Sequence, residues 1–300
     1  MDLARKKMLA LLLSTANERK MIIEYQQGQR RAPKAATRGL MDHELTAEVR
    51  FADLEDDIDA AVAEATELLE GLHADIKTMV LTSLFGEDRE PVTPAEAHEV
   101  IHALTVDQPE EMQQAQSMVG VVIAGMLAAA YLTGGRRVIE EADRQGVAVD
   151  SVSPVELPVD EFMEQGMAVA QHPWRRITGK VEEQLSLPST LVQDTLTPDD
   201  VAGILDDIVV DGSRDLANQA VQTSAGRGRI DTVDSTDELT PTRVWSSEIM
   251  DGNQCDACEL IDGREFSDME EARSFYESGY YHRCRGLARC RGTLVWSWGE

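Results

Sequence analysis

The stretch that decides the fold is 242-TRVWSSEIMDGNQCDACELIDGREF-266, because the character of the chain changes there. Its first eight residues, TRVWSSEI, have the composition of a β-strand. MDGNQ and the Asp262-Gly263 pair predict turns, since Gly, Asn and Asp tolerate the backbone conformations that tight turns need. Residues 226–300 are therefore expected to form a small α+β domain.

The end of the chain is expected to close this domain. Ser267 and Glu270 have the spacing of a capping box, which predicts a short helix over about 268–277. The final run, GYYHRCRGLARCRGTLVWSW, ends in residues that favour a closing strand. Trp296 and Trp298 would share one face of that strand, because side chains alternate along it. They are expected either in the domain core or in a partner-binding patch.

Residues 41–225, by contrast, predict a body that is nearly all helical. Apolar residues over 46–84 recur with a helical period, and acidic residues line the opposite face. Thr93 and Pro94 make an N-cap and first turn for the next helix. Further helices are predicted from DQPEE at 107–111 to TGG at 133–135, and over 136–145, 159–171, 173–186, 198–210 and 213–224. The expected fold is mostly α, with a helical N-terminal body followed by a small, cysteine-rich α+β domain.

The charge of the chain is strongly acidic but unevenly spread. A formal net charge of −27 favours solubility and argues against a nucleic-acid-binding body. Residues 1–40 differ, with nine basic side chains against three acidic ones in an expected basic helix and linker. This arm could make weak, salt-sensitive contacts with DNA phosphates, bind an acidic patch on a protein partner, or stay solvated.

Two apolar segments bear on the compartment of the protein. Met118–Leu132 is fifteen residues long, fewer than the roughly 20 needed to cross a bilayer. We expect a buried central helix there and no membrane association; a membrane-active segment is the alternative. The apolar run near the N-terminus is short for a secretory signal, so a reducing cytoplasm is the expected compartment.

Residues 98–102 read HEVIH, a pattern typical of zinc metallopeptidases. On a helix, His98 and His102 could share a zinc ion while Glu99 acts as base on its bound water. A third ligand is then needed, and Glu140 or Glu141 are the candidates, since no further histidine follows at the usual spacing. The alternative, which we favour, is an ordinary amphipathic helix. Its buried stripe would be Ala97, Val100, Ile101 and Leu104.

All four cysteines lie beyond residue 254 and form the second candidate site. Cys255 and Cys258 form a CxxC pair, which can point two thiolates at one tetrahedral metal ion. We predict structural zinc bound by Cys255, Cys258, Cys284 and either Cys290 or His282. A disulfide and simple reduced cysteines remain the alternatives. A closed site with four protein ligands would be structural, because no position is left for a substrate.

The order of these elements resembles the C-terminal domain of phage Mu F-like head morphogenesis proteins. In that family a strand leads to an Asp-containing turn, a CxxC pair, an Asp-Gly segment and a final His/Cys-rich loop. The resemblance covers about 240–300. The corresponding residues are Trp245, Asp251, Cys255, Cys258, Asp262, Gly263, Phe266, His282, Cys284, Cys290, Arg291, Gly292 and Thr293.

The resemblance implies a non-catalytic minor capsid protein. Proteins of this family are present in few copies and associate with the portal protein during procapsid assembly. The expected partners are therefore the portal and also the major capsid or scaffolding protein. The expected location is the host cytoplasm during assembly and then the head interior or portal region of the virion. The alternatives are a metallopeptidase that acts on head proteins through HEVIH, and an effector domain.

Overall fold

The computed structural model describes residues 43–86, 90–149, 157–208, 211–248, 255–276, 279–286 and 292–298. The predicted basic arm, residues 1–40, lies outside these ranges. In chain order the elements are α1 (His43–Phe85), α2 (Pro94–Val106), α3 (Glu110–Arg144), α4 (Val159–Leu185), α5 (Pro188–Leu191), α6 (Pro198–Asp206), α7 (Asp211–Ser235), a 3-10 turn (Asp237–Leu239), β1 (Arg243–Glu248), α8 (Asp256–Ile261), β2 (Glu265–Phe266), α9 (Met269–Tyr276) and β3 (Gly292–Ser297).

The predicted fold class is confirmed, because long helices are followed by a small antiparallel sheet near the C-terminus. The chain divides into two compact units. We call residues 64–124 and 163–217 the helical unit. The described residues within 43–63, 125–162 and 218–298 make up the sheet unit. Both units are discontinuous in sequence, whereas the prediction divides the chain into continuous segments at 40 and 225.

The helical unit is built around one apolar cluster. The stripe predicted for α1 supplies Leu72 and Ile76, both buried. At the start of α2, Thr93 accepts a hydrogen bond from the Glu96 backbone N–H, and the Glu96 carboxylate accepts one from the Thr93 backbone N–H. The predicted cap is thus confirmed as a complete capping box.

The predicted break at TGG is wrong, because α3 runs without interruption through residues 133–135. Within the sheet unit, a Cβ on Gly134 would overlap the backbone of Ala225, and one on Gly135 would overlap the Thr232 side chain. These glycines let α3 and α7 approach closely, and that packing offsets their low helix propensity. The helix ends at Arg144, and Gly146 in the turn that follows has a φ of 85°, which favours glycine.

Three further predicted helix boundaries are also wrong. Pro173 lies inside α4, which stays continuous from Val159 to Leu185. Proline removes one backbone hydrogen bond, but buried Ala170 and Trp174 hold the chain on both sides of it. Helix α7 continues past the predicted end at 224, since Gly226 and Gly228 pack against the backbones of Gly279 and Tyr131. Helix α6, in contrast, ends at Asp206 and not at 210.

The apolar segment Met118–Leu132 lies within α3. By length and composition α3 could cross a membrane, and 56% of its most apolar 18-residue stretch is buried in the protein. Tyr131 and Leu127 are almost fully buried, whereas Met118 is 67% exposed. The prediction that this segment is a buried helix is therefore confirmed for the side that carries Leu127 and Tyr131.

The sheet has the strand order β2-β1-β3, and both pairings are antiparallel. The β1–β3 register places Val244 opposite Trp296 and Glu248 opposite Gly292. Trp296 is fully buried in the core of the sheet unit, and Trp298 packs against it at 6.3 Å between ring centroids. Of the two expectations for these tryptophans, the structure supports the domain core.

The short helix after β2 is confirmed, but its predicted cap is wrong. The Glu271 backbone N–H donates to Asp268 Oδ1 at 2.8 Å, and the Ser267 backbone N–H donates to Glu271 Oε2 at 2.7 Å. The capping groups thus come from Asp268 and Glu271, one residue later than the predicted pair.

Candidate metal centre

The CxxC pair is positioned by the chain that enters α8. Cys255 is the N-cap of α8, with extended backbone angles, and Cys258 lies in its first turn. The Cys258 backbone N–H donates to the Cys255 carbonyl at 2.9 Å, which turns the two side chains to the same side. Local structure alone therefore brings these two thiols together.

The third thiol comes from the segment that follows α9. Cys284 lies in a turn in which its backbone N–H donates to the Tyr281 carbonyl at 2.9 Å. The sulfurs of Cys255, Cys258 and Cys284 all lie within 4.8 Å of one another, and these three residues could hold a metal ion. In this part of the chain, the structure brings together three of the five predicted ligands.

Of the other two predicted ligands, His282 is not in this group. His282 Nδ1 is 3.0 Å from the Phe275 carbonyl, and its Nε2 accepts a hydrogen bond from Arg283 Nε at 3.3 Å. Both ring nitrogens therefore have partners away from the sulfurs. Cys290 lies outside the described residues.

One sulfur already has a partner that favours a thiolate. The Arg285 backbone N–H donates to Cys255 Sγ at 3.3 Å. A backbone N–H directed at sulfur stabilises the charged form, which is the form that binds metals. The turn after Cys284 thus prepares Cys255 as a ligand.

Sequence reasoning missed a fourth group beside the cysteines, the carboxylate of Glu248. Glu248 is the last residue of β1 and is only 4% exposed. Its Oε1 accepts a hydrogen bond from the Tyr276 hydroxyl at 2.9 Å, while its Oε2 is buried with no hydrogen-bond partner. Burial raises the pKa of Glu248 to about 7, and hydrogen bonds from Tyr276 and Cys258 oppose that rise.

The place of this carboxylate is set by its cross-strand partner. Gly292 lies opposite Glu248, and a Cβ on Gly292 would overlap the carboxylate. A small cavity opens beside the group, and its lining includes Glu248, Cys258, Cys284, Gln222, Thr223 and Tyr280. No motif in the sequence marks Glu248, because its neighbourhood depends on the register between β1 and β3.

The HEVIH segment forms the amphipathic helix that we favoured. Ala97, Ile101 and Leu104 are buried, and Val100 packs against the same cluster. The imidazoles of His98 and His102 stack with centroids 6.3 Å apart, and His102 Nδ1 lies 3.1 Å from Glu182 Oε1.

The two glutamates proposed as third zinc ligands for HEVIH form ion pairs with arginines. Glu140 is paired with Arg137 and Glu141 with Arg229. Among the described residues, the three cysteines are the one group of three or more His, Cys, Asp or Glu side chains whose geometry suits a metal. The geometry therefore favours the cysteine cluster as the candidate site.

Comparisons of the chain with protein-family models, with curated proteins and with solved structures gave no match.

Proposed function

We propose that this chain is a non-catalytic minor capsid protein of a phage head, associated with the portal during procapsid assembly, and that zinc stabilises its C-terminal domain. The observation that carries this proposal is the cysteine cluster beside the sheet. It joins the CxxC turn, the segment after α9 and the strands in the order by which the sequence resembles Mu F-like proteins.

Zinc is the metal that suits these ligands best. Thiolates are soft ligands, and structural zinc sites in proteins are tetrahedral with Zn–S distances of about 2.3 Å. Tetrahedral geometry at that bond length requires sulfurs about 3.8 Å apart. The three sulfurs, at no more than 4.8 Å, need to close by about 1 Å or less to reach it.

The zinc would stabilise a domain whose sheet is small. The sheet has three strands, and β2 contains only two residues. Small domains commonly need a metal or a disulfide in addition to their apolar core. A metal that links Cys255 and Cys258 to Cys284 would hold the segments before and after α9 together. In this proposal the metal stabilises a binding domain and takes no part in a reaction.

The proposed assembly role includes partners and a location. The portal is the main partner, and the major capsid or scaffolding protein is a further one. The protein would assemble in the host cytoplasm and remain in the head interior or portal region of the virion. Residues 1–40 would supply a basic arm for weak contacts with packaged DNA.

Two measurements test the proposal. Purified protein should contain about one zinc per chain, and Cys258→Ser should lower that content because it removes a buried ligand. Co-expression with the portal protein of the same phage should yield a complex that the Cys258→Ser variant forms less well. Absence of the protein from both procapsids and virions would contradict the assembly role.

The metallopeptidase hypothesis stays a prediction, with His98, Glu99 and His102 as its residues. No observation in the described part of the chain favours it over the assembly role.

A further inference from the structure

We propose that the carboxylate of Glu248 is the fourth ligand of the metal held by Cys255, Cys258 and Cys284. The inference rests on the metal site of the proposed function and deepens it, since it replaces the predicted Cys290 or His282. A closed tetrahedral site needs four ligands from the protein, and the cluster of sulfurs supplies three. The question is therefore which group faces the three sulfurs.

Glu248 has the environment of a ligand that lacks its partner. The side chain is buried, and the Tyr276 hydroxyl fixes one of its oxygens by a hydrogen bond of 2.9 Å. The other oxygen, Oε2, is buried without any hydrogen-bond partner. Buried polar atoms nearly always have a partner, and an ionised oxygen left without one is strongly unfavourable. A cation beside this oxygen would supply the missing interaction.

The sulfurs lie on the side from which such a cation would come. The Cys258 thiol forms a hydrogen bond with the Glu248 carboxylate, and Cys284 is close enough to interact with it electrostatically. With Zn–S at about 2.3 Å and Zn–O at about 2.1 Å, sulfur and oxygen on one tetrahedral zinc are about 3.6 Å apart. That separation lies within the range of a thiol–carboxylate hydrogen bond. Glu248 lies outside the group whose ligand atoms are all within 4.8 Å of one another, so its carboxylate would move towards the sulfurs when zinc binds all four groups.

The sheet provides the space and the orientation for this ligand. Gly292 is the cross-strand partner of Glu248, and any larger residue there would overlap the carboxylate. Tyr276 would keep its hydrogen bond to Oε1 while Oε2, which has no hydrogen-bond partner, binds the metal. Groups that hold a ligand from behind in this way orient it and raise metal affinity. On binding, the three thiols would lose their protons to solvent and the site would contain three thiolates and one carboxylate.

X-ray absorption spectroscopy of the full-length chain with one equivalent of zinc tests the proposal without a variant at Glu248. The expected shell has three sulfurs at about 2.3 Å and one oxygen at about 2.0–2.2 Å. A shell of four sulfurs would overturn the proposal, because Cys290 would then hold the fourth position. The His98→Ala variant should give the same spectrum, since HEVIH contributes nothing.

Zinc affinity then identifies the oxygen ligand, measured by competition with a chelating indicator. Glu248→Gln is expected to weaken zinc binding by about 100-fold or more. The matched control is Glu259→Gln, which removes an exposed carboxylate beside Cys258 and should leave the affinity within a few-fold of wild type. Cys290→Ser should also bind like wild type. Unchanged affinity in Glu248→Gln would mean that water fills the position, and the proposal would be wrong.

Two controls keep these outcomes separate from misfolding. Circular dichroism at saturating zinc checks that the Glu248→Gln variant retains its helices. If Glu248→Gln does not fold, zinc affinity is measured on the Glu248→Asp variant in its place. The shorter carboxylate should also weaken zinc binding, since it reaches less far towards the sulfurs. A wild-type chain that binds no zinc would overturn both this inference and the zinc of the proposed function. Four sulfurs would overturn this inference alone.

Discussion

Replacing Arg229 by Met should destabilise the sheet unit strongly, because it leaves a buried carboxylate without its charge partner. The two guanidinium nitrogens of Arg229 lie 2.8 and 3.1 Å from the Glu141 oxygens, and the two side chains are 1% and 3% exposed. The same guanidinium donates to the Leu294 carbonyl at 3.2 Å and stacks over the Trp296 ring at 5.0 Å. Helices α3 and α7 are thus tied to β3 through one cation.

The expected magnitude follows from this burial. Removing one partner of a fully buried ion pair typically costs about 3–5 kcal/mol, because the remaining charge stays desolvated. Replacing both partners by apolar residues of similar volume is often neutral. We therefore expect Arg229→Met to lower the free energy of unfolding by about 3–5 kcal/mol. The double variant Arg229→Met/Glu141→Leu should recover most of that loss.

Chemical denaturation followed by tryptophan fluorescence measures these changes, since Trp296 lies against the pair. The matched control is the Arg243–Glu265 pair, whose side chains are 41% and 51% exposed. Arg243→Met should cost about 1 kcal/mol or less, as is usual for exposed pairs. The reasoning is refuted if Arg229→Met costs no more than this control, or if the double variant is as unstable as the sum of the single variants.

Three further predictions concern other parts of the molecule. Gly134→Ala should lower the free energy of unfolding by about 1–3 kcal/mol, because the new Cβ would overlap a neighbouring backbone. Gly179→Ala should raise it by about 0.5–1 kcal/mol, because Gly179 lies in a helix with open space around it. Thermal denaturation of both variants measures these changes. Burial first, and nearby cations second, lower the pKa of His73 and His172 below 6.5, so their contribution to stability should be complete above pH 6.5 and lost as the pH falls through the lowered values. Denaturation midpoints at pH 7.5 and 5.5 should differ less in His73→Gln than in wild type, and an equal difference would show that His73 does not contribute. Glu99→Gln should leave both zinc content and the processing of head proteins unchanged; loss of a wild-type cleavage would revive the peptidase hypothesis.

Sequence periodicity predicted the helices well wherever the signal was an apolar stripe or a cap. The stripe of α1 and the capping box at Thr93 are local features, so the chain reveals them without its fold. The same reasoning failed at glycine and proline. TGG at 133–135 and Pro173 were predicted to break helices, since their intrinsic propensities are low. Close packing between helices overrides that preference, and such packing cannot be seen in a linear sequence.

Part of the candidate metal centre could likewise be predicted from local sequence, and the rest depends on contacts between distant residues. Cys255 and Cys258 were predictable as a pair because their spacing alone places both thiols on one turn. Cys284 was predictable as a further ligand because the end of the chain was expected to fold back towards the CxxC pair. Glu248 could not be predicted, because at the end of a strand a glutamate is expected to face solvent. Only the fold shows that β1 is buried as far as its last residue.

The register of the sheet is what makes the centre possible. Side chains alternate along a strand, so a slip of one residue between β1 and β3 would turn one strand's inward side chains outward. Glu248 would then lose both the space beside Gly292 and its place near the sulfurs. Conversely, a metal bound to Glu248 and the three cysteines would oppose such a slip, because the end of β1 would be tied to α8 and to the segment before β3. The sheet and the metal would therefore stabilise each other in a domain whose described residues form three strands.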